Sequence, residues 1–376
     1  MRQAAYLDYN ATVPLRPQAR AALVAALDSV GNASSIHRFG RLARRTIEDA
    51  REQLAAFLNV LPRQIVFTAG ATEANSGALR ATGRRRVLAG ATEHPSVLAA
   101  SPAIEIVSVD SAGVVDLAHL SAMLVANTEP ALVSIMAANN ETGTIQPVAD
   151  AAAIAHDAGA ILHCDAVQAA GRIPLDFPAL NADLMSVSSH KMGGPTGIGA
   201  LVIRDGLALE PLLRGGGQEL GRRAGTENVA AIAGFGAAAV VAGAELASER
   251  YRVAALRDRL ENEIRAIAPA VRIFGNDAER LPNTSCFGLA GLASDVQVIA
   301  LDLAGIAVSA GAACSSGKVA GSHVLGAMGV KPDVANAAIR VSLGWQSTQA
   351  DVDRFLDAWR ALATRDDVGT AVAPAA

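Results

Sequence analysis

Short apolar runs alternate with helix-like stretches through most of the chain. IVFT at residues 65–68 precedes ATEANSGALR, and LVSIMA at residues 132–137 leads through NNETG to the helical segment PVADAAAIAHDAGA. Apolar strands that alternate with helices indicate βαβ units, in which helices cover both faces of a largely parallel sheet. Further strands are predicted at residues 87–90, 161–166, 184–189 and 200–204.

The pattern changes in the last third of the chain. Residues 226–267 form one long helical stretch, which we interpret as a helix that links two units. After it, TSCFGL, DVQVIALDLAG, AIRVSLG and the helical segment ADVDRFLDAWRALATR predict a smaller α+β domain. Ser347 or Thr348 can cap the last helix, and the tail that follows it is expected to be disordered.

Composition supports a globular chain with a large core. Of the 376 residues, 51% are hydrophobic and 18% are charged, which suits about two domains. The formal net charge of −4 gives no indication of a nucleic-acid or anionic-membrane partner. The longest uncharged apolar stretch, within residues 229–244, is mostly Ala and Gly and is shorter than the roughly 20 residues that span a bilayer. We therefore expect a buried helix there.

The N-terminus and the cysteines indicate a cytoplasmic protein. The first residues carry Asp8 and no apolar run, so no signal peptide is visible. Cys164, Cys286 and Cys314 have neither metal-ligand nor CxxC spacing, and their odd number suggests reduced thiols. Cys164 and Cys286 lie in strand-like apolar runs and are expected to be buried.

Lys191 is the first candidate for chemistry. Only Lys191, Lys318 and Lys331 are lysines among the 32 basic Lys and Arg residues. Arginine keeps its proton in proteins, whereas a desolvated lysine can lose it and form a Schiff base with an aldehyde. From the local sequence SSHKMGGPTGIG alone, a surface lysine beside a turn stays an open alternative.

Polar residues at the ends of other strands fit an aldehyde cofactor with an aromatic ring and a phosphate. Asp165 follows an apolar strand and could keep the ring nitrogen of pyridoxal phosphate (PLP) protonated. Gln168 could donate to the phenolic oxygen of the ring, and His94 could stack on the ring and take part in proton transfer. The alternatives are a helix-capping Asp and a partly buried structural His.

A phosphate site is predicted where TAGATEAN turns from strand to helix. The free N–H groups and the dipole of a helix start attract a phosphate, and Thr72 adds a hydroxyl beside Ala71. Ser188 and His190, just before Lys191, could contact the same phosphate. Taken alone, the Gly-Ala-Thr turn is equally compatible with an ordinary helix cap.

Taken together, these motifs resemble the PLP-dependent cysteine desulfurases of the class V aminotransferase superfamily, in the same order along nearly the whole chain. The matching stretches are YLDYNAT, NASSIHRFGR, TAGATEAN, EHPSV, NNETGTIQP, HCDAVQAAG, SSHKMGGPTGIGAL, GGGQELGRRAGTENV, GAACSSG and IRVSLGW.

The resemblance implies a role for each matching residue. Lys191 would form the internal aldimine and move the Cα proton, Asp165 would pair with the pyridinium nitrogen, and His94 would stack on the ring. The other implied cofactor contacts are Asn140 and Gln168 at the phenolic oxygen, Ala71, Thr72, Ser188 and His190 at the phosphate, and Thr226 at the phosphate of a partner subunit.

Substrate and sulfur transfer are assigned by the same resemblance. Arg340 would bind the substrate carboxylate as a bidentate fork, assisted by Asn10 and Arg223. Cys314 lies in a Ser/Gly/Ala-rich stretch without strand or helix periodicity, which predicts a mobile loop. Its thiolate would take sulfur from L-cysteine as a persulfide and leave alanine.

The implied fold is PLP fold type I, an α/β architecture like that of aspartate aminotransferase. We expect a large PLP-binding domain at residues 15–255 and a small domain at residues 1–14 and 256–366 that carries the Cys314 loop, with a disordered tail at residues 367–376. The implied partners are a second copy of the chain and a sulfur-acceptor protein such as an iron–sulfur scaffold, and the implied localisation is cytoplasmic.

Two other functions stay open at this point. Another class V PLP enzyme, such as a selenocysteine lyase or a transaminase, would share the cofactor site, although a transaminase needs no loop thiol. A catalytically idle sulfur-transfer or scaffold-binding homologue would not need every catalytic position to be filled. Val13, Thr196 and Gly321 depart from residues common in the family, and none of these changes removes a group that the reaction needs.

Overall fold

A computed structural model describes residues 4–211, 213–311 and 321–364. The strands are β1 Ala5–Tyr6, β2 Ile65–Thr68, β3 Arg86–Gly90, β4 Ile104–Val107, β5 Ala131–Ser134, β6 Ile161–Asp165, β7 Leu184–Ser188, β8 Gly199–Ile203, β9 Arg272–Ile273, β10 Thr284–Gly288, β11 Ile306–Ala307, β12 Ser309–Ala310 and β13 Ala338–Ser342. The α-helices are α1 Pro17–Leu27, α2 Arg38–Leu58, α3 Ala71–Arg80, α4 Pro95–Leu98, α5 Leu117–Ala126, α6 Val148–Asp157, α7 Phe177–Leu180, α8 Val229–Ile267, α9 Ser294–Leu303, α10 His323–Ala327, α11 Pro332–Ala335 and α12 Gln349–Ala363.

Seven strands form one large sheet in the order β2-β8-β7-β6-β5-β3-β4. Strand β8 is antiparallel to both of its neighbours, and all the other pairs in this sheet are parallel. The predicted α/β fold with a large, mostly parallel sheet is confirmed. The predicted strand at residues 132–137 is shorter than expected, because β5 ends at Ser134.

Both faces of this sheet are covered. Along β2, Ile65 and Phe67 pack into one hydrophobic core, whereas Val66 packs into another. Successive side chains of a strand point to opposite faces, so the two cores lie on the two sides of the sheet. A sheet that is buried on both sides explains why its strands read as continuous apolar runs.

Helix α8 contributes to two separate cores. Its first half places Ile232 and Phe235 in the core of the large sheet, and its second half places Leu260 and Ile264 in a second core. Length and composition alone would let α8 cross a membrane, which is weak evidence because buried core helices share these properties. The division of the chain at residue 255 stays a prediction.

The second core lies against a four-stranded antiparallel sheet in the order β12-β13-β10-β9. Phe287 on β10 makes edge-to-face contacts with Phe355 and Trp359 of α12, at centroid distances of 6.3 and 5.5 Å. Thr348 caps α12 in a reciprocal capping box with Asp351. Of the two residues predicted as possible caps, Thr348 is therefore the N-cap.

The carboxyl ends of β2, β3, β5, β6 and β7 lie along one edge of the large sheet. Two glycines shape the chain there. Gly70 joins β2 to α3 with a φ of +155°, and Gly193 turns the chain after β7 with a φ of +83°. A Cβ at Gly193 would lie 2.7 Å from Cγ of Arg16, so this turn requires glycine for space as well as for conformation.

Candidate active site

The carboxyl edge of the sheet encloses a cavity of about 560 Å³. Ligands collect at this edge in open α/β sheets. Nine of the predicted residues line the cavity: Ala71, Thr72, His94, Asn140, Asp165, Gln168, Ser188, His190 and Lys191. Residues from five separate regions of the chain therefore meet where the strand pattern predicts.

Lys191 ends a short 3₁₀ turn, Ser189–Lys191, directly after β7. Its Nζ donates to the carbonyl oxygen of Ala11 at 2.9 Å and to that of Asn10. The N-terminal segment is fixed beside this turn because the backbone N–H of Val13 donates to the carbonyl oxygen of His190 at 2.9 Å. The amine is thus held within the cavity by the N-terminal segment.

Asp165 is the last residue of β6 and is buried. Its Oδ1 accepts from the backbone N–H of Val167 at 3.0 Å, and its Oδ2 accepts from Nδ2 of Asn75 at 2.8 Å. Hydrogen bonds to a carboxylate are among the stronger ones in proteins. They fix an acidic group at the cavity wall, as pairing with a pyridinium nitrogen requires.

His94 caps the short helix α4. Its Nδ1 accepts from the backbone N–H of Ser96 at 3.1 Å and lies 2.8 Å from Oγ of that serine. Burial lowers the pKa of His94, the charge of Lys191 lowers it further, and Asp165 opposes both. We infer a neutral imidazole with its proton on Nε2, since Nδ1 is an acceptor.

The predicted phosphate site lies at the start of α3. Ala71 and Thr72 open this ten-residue helix after Gly70, and free N–H groups at such a start attract anions. His190 places its Nδ1 3.2 Å from Oγ1 of Thr12. Burial lowers the pKa of His190 to about 4, and the charges of Lys191 and Arg172 contribute.

Gln168 and Asn140 belong to a buried network at the other side of the cavity. Nε2 of Gln168 donates to the carbonyl oxygen of Asn10 at 3.1 Å. The backbone oxygen of Asn140 accepts from Nη1 of Arg340 at 2.9 Å and from Nδ2 of Asn10 at 3.1 Å. This network joins the N-terminal segment to β13.

The three predicted substrate residues lie around the cavity and not on its wall. Nη2 of Arg340 donates to Oδ1 of Asp8 at 2.7 Å, and the buried Nε has no hydrogen-bond partner among the described residues. The side chain of Asn10 donates to Thr284 at 2.9 Å. Arg223 pairs with Glu73, a residue of the cavity wall, at 2.9 Å.

Two further predicted residues are not part of this cavity. Thr226 is exposed and does not line it. Cys314 lies outside the described residues. Cys164 and Cys286 are buried as predicted, and burial raises the pKa of both thiols. Neither is suited to act as a thiolate nucleophile, which requires an exposed thiol of ordinary or lowered pKa.

Several residues that shape the site were not predicted from sequence. Asn75, which binds Asp165, lies four residues after Ala71 on α3, and side chains at this spacing share a helix face. Ser96 follows His94-Pro95, where a capping turn is expected. Arg172 lies four residues after Gln168 and contacts it. Helical spacing from a predicted residue was the signal for Asn75 on α3, whereas Arg172 lies in the turns that follow β6.

The residues present fit PLP. The cavity offers an amine, a fixed carboxylate, an imidazole and a helix start in one space of suitable size, and an apolar pocket with a few converging polar groups is typical of cofactor sites. The buried Nε of Arg340, which has no partner in the described part of the chain, is a donor that a carboxylate could use.

Comparisons with known proteins agree with this geometry. Residues 5–355 match the family model of the class V aminotransferases. A cysteine desulfurase of Gluconacetobacter diazotrophicus is 43% identical, with 94% of this chain and 92% of that protein covered. An IscS-like cysteine desulfurase of Mycobacterium tuberculosis is 40% identical, with 94% of each chain covered. The solved NifS-like protein of Rickettsia africae is 36% identical and superimposes with a TM-score of 0.90, covering 96% of this chain and 99% of the other.

Proposed function

The chain belongs to the class V aminotransferase family, among its PLP-dependent cysteine desulfurases, and we propose that it converts L-cysteine to L-alanine with transfer of the sulfur to Cys314. The observation that carries this proposal is the meeting of Lys191, Asp165 and His94 at one cavity. An amine, an acid and an imidazole in this arrangement suit a PLP enzyme that moves a proton at Cα.

PLP supplies an electron sink when it is bound. Lys191 holds the cofactor and moves the substrate's Cα proton, and Asp165 keeps the ring nitrogen protonated. His94 covers the ring and, as a neutral imidazole, can accept or donate a proton close to it. Ala71, Thr72, Ser188 and His190 bind the phosphate, while Asn140 and Gln168 contact the phenolic oxygen.

Arg340 binds the substrate carboxylate in this proposal. Its Nη1 and Nη2 contact Asn140 and Asp8, and its buried Nε is left for the ligand. Asn10 keeps this region in place through its bonds to Asn140 and Thr284. Arg223 assists indirectly, because its ion pair holds Glu73 at the cavity wall.

Sulfur transfer requires the thiolate of Cys314. It attacks the substrate's sulfur, so that a sulfur–sulfur bond forms and the bond between Cβ and sulfur breaks. The electron pair of the broken bond stays with Cβ, which takes up a proton and becomes the methyl group of alanine. Cys314 then carries a persulfide for a sulfur-acceptor protein, which we propose to be an iron–sulfur scaffold.

We also propose a cytoplasmic homodimer in which Thr226 reaches the phosphate bound by the partner subunit. The support is the exposed apolar surface of the same segment. Leu220, six residues before Thr226, is 73% exposed. The pair of Arg223 with Glu73 places this segment beside the cavity. A mass of one chain by light scattering would contradict the dimer.

The test is to incubate the purified protein with PLP, L-cysteine and a reductant and to measure alanine and sulfide. Wild-type protein should produce them in equal amounts, and Cys314→Ala should lose nearly all of both. Cys286→Ala is the matched control, because its buried thiol has no role in the proposal. Sulfide release by Cys314→Ala at the wild-type rate would contradict the persulfide route.

Lys191→Ala tests the cofactor link separately. We expect this variant to lose the visible absorption of bound PLP after thorough dialysis, since the covalent attachment is gone. A visible band that survives dialysis would contradict the assignment of Lys191, whatever the activity of the variant.

A further inference from the structure

Arg172 is a buried cation beside the cofactor cavity, with only 8% of its surface exposed. Its Nη2 donates to the carbonyl oxygen of Tyr9 at 3.0 Å, and its Nη1 donates to the carbonyl oxygen of Gln168 at 2.9 Å. The same Nη1 also contacts Oε1 of the Gln168 side chain. All of these partners are neutral.

Arg172 has no counter-ion among the described residues, which sets it apart. Four other arginines are buried in the described part of the chain, and each pairs with a carboxylate: Arg16 with Glu245, Arg51 with Glu219, Arg86 with Glu105, and Arg340 with Asp8. A buried charge without a charged partner is costly, so the hydrogen bonds that Arg172 makes to neutral oxygens call for a role beyond structural pairing.

The contact with Oε1 determines how the Gln168 amide is oriented. A guanidinium only donates, so it must face the amide oxygen and never the NH₂ group. The NH₂ group is therefore turned away from Arg172. One of its N–H groups reaches the carbonyl oxygen of Asn10 at 3.1 Å, and the residue lines the cofactor cavity.

We propose that Arg172 is a positioning residue that fixes the Gln168 amide with its NH₂ group toward the cofactor, so that the phenolic oxygen of bound PLP is held as an anion. This inference rests on the proposed cofactor site. Arg172 and Lys191 also border one small second cavity. The positive charge of Arg172 therefore lies near the Lys191 side chain.

Arg172 stays charged despite its surroundings, because a guanidinium keeps its proton in proteins. Burial lowers the pKa of Arg172 to about 9, with the charge of Arg340 as a second cause. The group still carries its proton at neutral pH. Its charge also contributes to the low pKa of His190.

The experiment measures the pH midpoint of the visible absorption band of the PLP-loaded protein. This midpoint reports the proton that the phenolic oxygen shares with the nitrogen of Lys191. Arg172→Met removes the group that orients the donor, which destabilises the anionic oxygen. The midpoint should rise by about one pH unit, the size expected for one hydrogen bond to a charged group.

Gln168→Ala completes the test. The same rise is expected in this variant, and adding Arg172→Met to it should cause little further change, because both substitutions remove one donor. Arg86→Met is the matched control: it removes another buried arginine, one that pairs with Glu105, and the midpoint should not move.

Two results would overturn the proposal. One is an unchanged midpoint in Arg172→Met. The other is a full additional shift when Arg172→Met is combined with Gln168→Ala, which would mean that the charge acts without the amide. If Arg172→Met does not fold, Arg172→Gln replaces it; this neutral amide carries an acceptor as well as a donor and so does not force Oε1 of Gln168 to face it, and a midpoint equal to that of wild type would count against positioning. A wild-type protein without any visible band would instead contradict the cofactor site itself.

Discussion

Two buried arginines, Arg51 and Arg172, satisfy their charges in different ways. Arg51 on α2 makes two bonds of 2.8 Å to the carboxylate of Glu219 and lies over the ring of Phe67 at 4.7 Å. Among the described residues, Arg172 contacts only neutral oxygens. The charge of Arg51 is therefore balanced within the protein, whereas no carboxylate among these contacts balances the charge of Arg172.

This difference distinguishes the framework, meaning buried groups whose partners are all within the protein, from the cofactor site. Glu219 also accepts the backbone N–H of Phe67 at 2.8 Å, so it ties a turn with positive φ values at Glu219 and Leu220 to strand β2. That ion pair holds the chain in a conformation that non-glycine residues rarely adopt. The polar side chains at the cofactor cavity are also held by hydrogen bonds to their neighbours. They line the cavity, however, and can make further hydrogen bonds to a ligand there.

The largest expected effect comes from breaking the ion pair between Arg51 and Glu219. Arg51→Met leaves the buried carboxylate of Glu219 without its cation, which should lower the free energy of unfolding by about 3–5 kcal/mol. Urea denaturation measures it. The double variant Arg51→Met with Glu219→Gln should lose less, because no charge is left buried.

Activity distinguishes the two regions in the same variants. Alanine production per folded molecule should be close to wild type in the double variant, since Arg51 does not touch the cavity. If the double variant keeps the wild-type free energy of unfolding but loses alanine production, the ion pair of Arg51 with Glu219 belongs to the site and not to the framework.

A smaller effect comes from His163, a buried histidine whose partners are complete and neutral. Its ring nitrogens lie 2.9 Å from Oγ of Ser134 and 2.9 Å from Oγ of Ser186. Burial lowers the pKa of His163 to about 4, below the ordinary value of 6.5. The unfolded chain therefore binds a proton that the folded chain excludes, and stability falls as pH drops below 6.5 towards 4.

His163→Gln keeps a hydrogen-bonding side chain but removes the titration. Between pH 7 and pH 5, wild-type protein should lose about 2 kcal/mol that this variant retains, as measured by urea denaturation at both pH values. Equal acid sensitivity of the two proteins would contradict a neutral His163.

The smallest expected effect concerns how the cofactor site holds Asp165. Asn75→Ala removes the donor to Oδ2 of Asp165, which should weaken PLP binding about tenfold, the effect of losing one hydrogen bond to a charged group. Equilibrium titration of the apo-protein with PLP measures this. Asn59→Ala, which removes an exposed amide that binds Asp176, is the control; equal affinities of both variants would mean that Asn75 does not orient Asp165.

Much of the fold could be predicted from the sequence because the large sheet is buried on both faces. Its strands therefore read as uninterrupted apolar runs, and helix α3 was predicted at its observed bounds. Strand β4, which carries two half-buried residues and one exposed residue, was not predicted. The two-residue strands β1 and β11 were also missed, because pairing between distant segments, and not local pattern, creates them.

For the site, the sequence alone predicted which residues meet at the cavity, since an amine, an acid and an imidazole each come at the end of a predicted strand. Tertiary structure decided how they are held. Asn75 binds Asp165 from 90 residues away in the chain, and Asp8 meets Arg340 from 332 residues away, and no strand-end pattern specifies either contact. The physical reason is that a reactive group's type is local, whereas the direction of its hydrogen bonds is set by whichever distant segments fold against it.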